Sequence, residues 1–354
     1  ARLAGSELAV VARGPRADWV AHRALAEQVL EALRASYQVD DMALVLEPRA
    51  GVAVAPQHGT QSAVLRRHAE LALRRAVADR VDLVLDEGSV PPVERPAELA
   101  QQLGAALDRG QFLLHFQPQI DAVSGAVDRV EALVRWAHPT RGLLQPGVFL
   151  PLAEQFGLVR RLTTTVAEMA VRQCATWYRQ GAGVGVSINV TVSNLLDSRL
   201  PYELAKLVNH YDLPPSMLQL KIAEDLVLTS SEQAMHTLDQ LRTFGVTTAI
   251  DDFGAGRLSL TQLRSLPVGE VKIHPSLVSE VAHDSADADV LARIVDLARA
   301  LGMRTVAKGV NAPETFGLVQ ALRCDAAQGL ALCPPLPGGE AIERLVGGGA
   351  RLAS

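Results

Sequence analysis

The sequence predicts an α/β chain of two domains, a (β/α)8 barrel of the TIM type preceded by a smaller, partial α/β domain. Three observations predict it. From residue 112 onward, about eight strand-like runs alternate with helix-sized stretches over ~240 residues. Residues 1–87 read as strand, helix, strand, helix, strand. Between them, Gly88-Ser89-Val90-Pro91-Pro92-Val93-Glu94-Arg95-Pro96 can extend neither helix nor sheet, so 88–96 is the expected linker and 97–350 the barrel domain. Periodicity alone leaves a doubly wound open sheet as the alternative.

In the first domain, Leu8 to Val11 is a short apolar strand ended by Gly14-Pro15. Leu25, Val29 and Leu33 recur at helical spacing, predicting a helix from Trp19 to about Ser36. Met42 to Val54 supplies extended segments around Pro48, Ser62 to Ala78 a second helix with an arginine-rich edge, and Val81 to Leu85 a last strand. Pro96 suits the first turn of a helix that carries Leu99, Leu103 and Leu107 on one stripe.

In the second domain the predicted strands are Phe112–Pro118, Val127–Trp136, Val184–Val190, Met217–Ala223, Val246–Asp252, Glu270–Ile273, Arg304–Lys308 and Asp325–Gln328. Along Val130 to Pro139, period-2 alternation puts Glu131, Leu133 and Arg135 on one face and Val130, Ala132 and Val134 on the other. In a barrel of this type function sits at the C-terminal strand ends. Here those ends carry Gln117, Glu131 with Arg135, Asn189, Lys221, Asp251-Asp252, Lys272 with His274, Lys308 and Gln328. So many polar side chains among small and apolar neighbours point to one shared site.

Composition bounds the rest. With 354 residues, 48% hydrophobic and 21% charged, the chain has ample material for buried cores and no tendency to disorder. A net charge of -5 offers no basic face, so no nucleic-acid partner is expected. Cys174, Cys324 and Cys333 are an odd number without metal-like spacing, which predicts a reduced, cytoplasmic compartment. No apolar run approaches the ~18 residues of a membrane span. The opening Ala1-Arg2-Leu3 suggests a fragment, with room for membrane or sensor segments upstream.

The run Glu131-Ala132-Leu133 resembles the signature of the EAL domain, the fold that hydrolyses the bacterial messenger cyclic di-GMP. The resemblance extends in order through Phe116-Gln117-Pro118, Pro151-Leu152-Ala153-Glu154, Asp251-Asp252-Phe253-Gly254-Ala255-Gly256, Leu266-Pro267, Val306-Ala307, Cys324-Asp325, Gln328-Gly329 and Pro335-Leu336-Pro337. The opening Arg2-Leu3-Ala4-Gly5-Ser6-Glu7-Leu8-Ala9-Val10 is similar to an eroded GGDEF motif of diguanylate cyclases, as are Arg49–Ala53 and Ala69–Leu73 to later parts of that domain. Its missing glycine and acid imply no cyclase.

Family resemblance implies two divalent cations among rim carboxylates and an amide, and Glu131, Asn189, Asp251, Asp252, Lys272 and Gln328 match those positions. Lys221 and Lys308 stand where the family places glutamates, His274 where it has an aspartate, and Asn311 where it has a later acid. Two Glu-to-Lys exchanges move the rim charge by about +4. Ammonium groups repel cations and can only donate, so metal is expected to be lost, the lysines to pair with Glu131, Asp251 and Asp252, and the chain not to be an enzyme. In the loop after the aspartates Arg257-Leu258-Ser259 replaces the usual Tyr-Ser-Ser, Glu224 resembles its anchoring acid, and Leu330 replaces a tail aromatic.

The expectation is a cyclic di-GMP receptor that signals through protein partners, binding with Gln117, Arg135, Asn189, Lys221, Lys308 and Gln328 and without a cofactor. A scaffold that no longer binds nucleotide, and weak residual phosphodiesterase activity on Glu131, Asn189 and Asp251, are the alternatives. Resemblance also implies a homodimer.

Overall fold

A computed structural model describes residues 8–12, 19–34, 37–39, 42–44, 48–55, 58, 62–78, 81–85, 96–224, 232–254, 258–279 and 285–341. The chain divides into two compact units, Ala1–Glu94 and Arg95–Ser354. The expected linker lies outside the described residues, apart from Pro96.

The first unit runs α1 (Trp19–Leu33), β1 (Tyr37–Val39), β2 (Met42–Leu44), β3 (Ala50–Val52), α2 (Ser62–Ala78) and β4 (Leu83–Leu85). β3 and β4 pair in parallel, as a crossover through α2 requires. Leu30, Leu83 and Leu85 form its small core. Gly51 is obligatory there, because a Cβ would lie 2.1 Å from the Leu73 nitrogen and 2.2 Å from the Ala69 oxygen. The backbone of β3 thus rests directly on α2. The expected strand Leu8–Val11 does not form: only Leu8 makes a strand bridge, and Leu8, Val10 and Val11 are exposed.

The second unit opens with α3 (Pro96–Asp108), whose Leu99 and Leu103 are buried as their spacing predicts. There follow β5 (Phe112–Asp121), β6 (Val127–His138), β7 (Gly142–Leu144), α4 (Pro146–Gln155), α5 (Val159–Arg179) and β8 (Gly185–Val190). Next come α6 (Val192–Leu195), α7 (Leu200–His210), β9 (Leu218–Ala223), α8 (Glu232–Thr243), β10 (Thr247–Phe253), α9 (Leu260–Ser265) and β11 (Glu270–Ile273). The unit finishes with α10 (Pro275–Ser279), α11 (Ser285–Ala300), β12 (Arg304–Lys308), α12 (Pro313–Ala321), β13 (Ala326–Gln328) and β14 (Leu336–Pro337).

Eight strands close a barrel in the order β5, β6, β8, β9, β10, β11, β12, β13, with β5 bonded to both β6 and β13. Closure excludes the open-sheet alternative and bears out the barrel. One strand differs from a regular (β/α)8 plan: β5 is antiparallel to both neighbours. The short turn after Asp121 permits only a hairpin to β6, since a parallel connection needs a dozen or more residues.

Apolar faces of the helices seal the barrel's outer side. α5 buries Leu162, Val166, Ala170, Cys174 and Trp177 at helical spacing, and Trp177 meets Phe116 edge-on at 4.8 Å. β6 leaves β8 after Glu131 and continues with β5 as an arm, capped by β7, beyond the barrel. Phe112 and Trp136 of that arm stack on each other and meet Phe149 of α4 edge-on, with ring centroids 5.7 to 6.1 Å apart.

Candidate functional site

The C-terminal ends of β6 and β8 to β13 gather at one mouth, and most of the polar residues singled out in the sequence meet there. Lys221, on β9, is enclosed at 1% exposure. Its Nζ donates to Glu131 Oε1 at 2.5 Å and lies 2.9 Å from Asp251 Oδ2. Lys308, at the end of β12, donates to Asp251 Oδ1 at 2.8 Å and Asp252 Oδ1 at 2.7 Å. Asn189 Nδ2 donates to Glu131 Oε1 at 3.1 Å, and Gln328 Nε2 to Glu131 Oε2 at 2.9 Å and to Gln117 Oε1 at 3.1 Å. Gln117 Nε2 in turn reaches the Cys333 carbonyl at 3.2 Å.

Neighbouring residues on a regular strand point to opposite faces, yet Asp251 and Asp252 both reach Lys308. A register shift between Ile250 and Phe253 and a φ of 57° at Asp252 account for it. The bulge turns the second carboxylate back toward the mouth. Sequence periodicity carried no sign of it.

Burial alone would push the Glu131 carboxyl up, but the ammonium groups of Lys221 and Lys272 outweigh it and hold the group well below the usual carboxylate range. Asp251 is likewise lowered, burial being overcome by Lys221 and Lys308. Lys308 is raised, because Asp251 offsets its desolvation. Lys272 is fully enclosed, with Nζ 3.7 Å from Glu270 Oε1 and no hydrogen-bond partner among the described residues. Burial and the nearby Lys221 charge bring its pKa down to about 8.

Arg135, His274 and Asn311 lie apart from this network. Arg135 sits on the arm, opposite Leu113 and beyond the pairing with β8, and its NH1 donates to the Val134 carbonyl at 2.9 Å. His274 is engaged locally, with Nδ1 2.8 Å from Ser276 Oγ. Asn311 accepts from the Leu330 amide at 3.3 Å. Gln117 keeps its place in the mouth, but as the middle of an antiparallel strand opposite Glu131 and not as a strand end. Arg257 falls outside the described residues. Glu224 is buried and accepts the backbone N–H groups of Gly254 and Leu258, both at 2.8 Å, clamping the two ends of that loop.

Sequence reasoning missed the polar layer beneath the mouth. Gln119 lies opposite Arg129 one step below the Gln117–Glu131 pair, and Gln219 and Glu270 are buried as well. Gln117 with Gln119, and Arg129 with Glu131, recur at period 2, which was the available signal. Above the network a cavity of about 270 Å³ opens, lined by Gln117, Glu131, Leu133, Lys308, Asn311 and Leu330 with the backbone of Gly309 and Gly329. Neither glycine tolerates a side chain. A Cβ on Gly329 would lie 2.0 Å from the Val310 oxygen, and Gly309 has a φ of 77° with Pro275 Cβ 2.6 Å away.

The metal pair implied by resemblance does not fit this arrangement. Both oxygens of Glu131 and one each of Asp251 and Asp252 already accept from nitrogen donors, and the other Asp251 oxygen lies 2.9 Å from the Lys221 ammonium. Among the described residues, no group of three or more His, Cys, Asp or Glu side chains is disposed to hold a metal ion. No helix of the described residues is long and apolar enough to cross a membrane.

Comparison with known proteins completes the picture. The chain is 34% identical over 342 residues to the Pseudomonas aeruginosa bifunctional diguanylate cyclase/cyclic di-GMP phosphodiesterase MucR, covering 95% of this chain and 49% of that protein. It is 31% identical over 340 residues to the cyclic di-GMP phosphodiesterase NbdA of the same species, covering 95% and 43%. The chain therefore spans about half the length of these relatives or less. Its fold matches the solved structure of the PaMucR phosphodiesterase in complex with c-di-GMP, with a TM-score of 0.66 and 36% identity over 69% of this chain and 99% of that one.

These relatives overturn the expectation of a non-enzyme. Proteins at 31–34% identity carry phosphodiesterase names, so two lysine substitutions are not grounds for setting the chain outside an enzyme family. The EAL domain family matches residues 100–335, two thirds of the chain and the whole barrel rim, and the protein belongs to that family.

Proposed function

We propose that the barrel mouth binds cyclic di-GMP, as the nucleotide-recognition module of a cyclic di-GMP signalling protein. The observation that carries this reading is the cavity itself. Leu133 and Leu330 supply apolar walls fit for a base, and Lys308 lines the cavity as a partner for phosphate. Arg135, on the arm and on the same strand face as Glu131 and Leu133, is the proposed second phosphate partner. A relative at 36% identity is described as a complex with that nucleotide, which supports the same ligand here.

Isothermal titration with cyclic di-GMP tests the reading. Saturable heat at one nucleotide per chain, weakened about tenfold or more by Arg135→Ala, is the expected result. No heat at high protein concentration removes it. A second reading, hydrolysis of the same nucleotide, is favoured by the phosphodiesterase names of the relatives and by Glu131, Asn189, Asp251 and Asp252 meeting at one mouth. Release of linear dinucleotide in proportion to wild-type protein, and none from Glu131→Gln, establishes it.

Protein partners and a homodimer belong to the proposal too, and light scattering on purified protein tests the dimer. The unit Ala1–Glu94 is read as part of a GGDEF-like domain. Its support is that Arg49–Ala53 and Ala69–Leu73, two of the three segments with that resemblance, are packed backbone to backbone at Gly51.

A further inference from the structure

Five charged side chains at the mouth form a chain of alternating sign. In contact order they are Glu131, Lys221, Asp251, Lys308 and Asp252, with successive N–O distances of 2.5, 2.9, 2.8 and 2.7 Å. Asp251 is the link, giving one oxygen to each ammonium. A hard divalent cation needs those oxygens as ligands, whereas an ammonium group brings only donors. Coulomb repulsion between a divalent ion and an ammonium a few ångströms away adds to the mismatch.

The two lysines differ in one respect that matters. Lys221 is enclosed, and both of its carboxylate partners are nearly so, which makes it a fixed internal counter-charge. Lys308 is 17% exposed in its side chain and lines the cavity. An ammonium has three N–H donors, and Lys308 uses two of them on Asp251 and Asp252. The third has no partner among the described residues and faces whatever enters the cavity.

We propose that Lys221 and Lys308 are tethered cations that stand in for divalent metal at this mouth, and that Lys308 turns its third donor to a phosphate of the ligand, so that anion binding here needs no divalent ion. The ligand half of this inference rests on the nucleotide-binding reading, while the cation half does not. Uptake of Mg²⁺ and Mn²⁺ is therefore measured first, by calorimetry on the wild-type chain without nucleotide. No saturable uptake up to millimolar cation is expected. Saturation by one or two ions at micromolar concentration overturns the proposal.

The variant Lys221→Glu with Lys308→Glu should gain cation affinity by at least about 100-fold, and no gain in a variant with wild-type circular dichroism also overturns it. Should the buried change prevent folding, Lys308→Glu alone is made at the rim, where a gain of ~10-fold is expected and none counts against the idea. Cyclic di-GMP is then titrated in EDTA and in millimolar Mg²⁺. Equal affinities, both weakened by Lys308→Met, are expected, and tightening by Mg²⁺ of more than ~10-fold refutes the ligand half. An absence of nucleotide heat in both buffers rejects that half together with the nucleotide-binding reading, and the metal titration still decides the cation half.

Discussion

Lys221 Nζ and Glu131 Oε1 meet at 2.5 Å inside the barrel, although 90 residues separate them in sequence. Neither group has water to fall back on. Removing one member of such a pair leaves the other charge buried and uncompensated, which costs about 3–5 kcal/mol. Lys221→Met is therefore expected to lower the unfolding free energy by that amount in urea titration. Lys308→Met, at the rim, should cost less than half as much.

The lowered carboxylates make the barrel acid-sensitive, and the sign follows from linkage. Glu131 and Asp251 both have folded-state pKa values below their unfolded ones. Their contribution is complete above about pH 4.5 and drains away as pH falls below 4 toward the folded values. Stability of the wild-type barrel should drop steeply over that range. In Lys221→Met the carboxylates lose their largest charge partner, and the slope should be shallower.

Glu224 holds the loop after β10 by two backbone amides. Glu224→Gln keeps the shape but loses the charge and one acceptor. Hydrogen exchange at the Gly254 and Leu258 amides should accelerate, with a stability loss of about 1–3 kcal/mol. Unchanged protection at both amides would show that the loop is held by other contacts.

Gly329 carries the Val310 backbone against it. Gly329→Ala should force those two segments apart, costing about 1–3 kcal/mol of stability and abolishing whatever the cavity binds. Gly317→Ala, on α12 with open space around its Cα, serves as the control and should be neutral or stabilising.

Local pattern determined much of this protein. Alternation and helical spacing placed the eight barrel strands to within a few residues, because each strand needs an apolar face for its helix whatever its neighbours are. The ordered family motifs identified the barrel, and most of the residues at its mouth were nameable from the polar positions toward the strand ends. Three things waited for the tertiary structure. β5 runs antiparallel, which follows from the shortness of a turn and the closure of the barrel around it. Asp251 and Asp252 share a lysine because a bulge breaks the alternation on which any reading of faces relies. And the pairing of Lys221 with Glu131 and of Lys308 with Asp251, expected from the family resemblance, takes its geometry from charges on strands far apart in the chain being brought within 3 Å, a distance that closure of the sheet sets and no local pattern encodes.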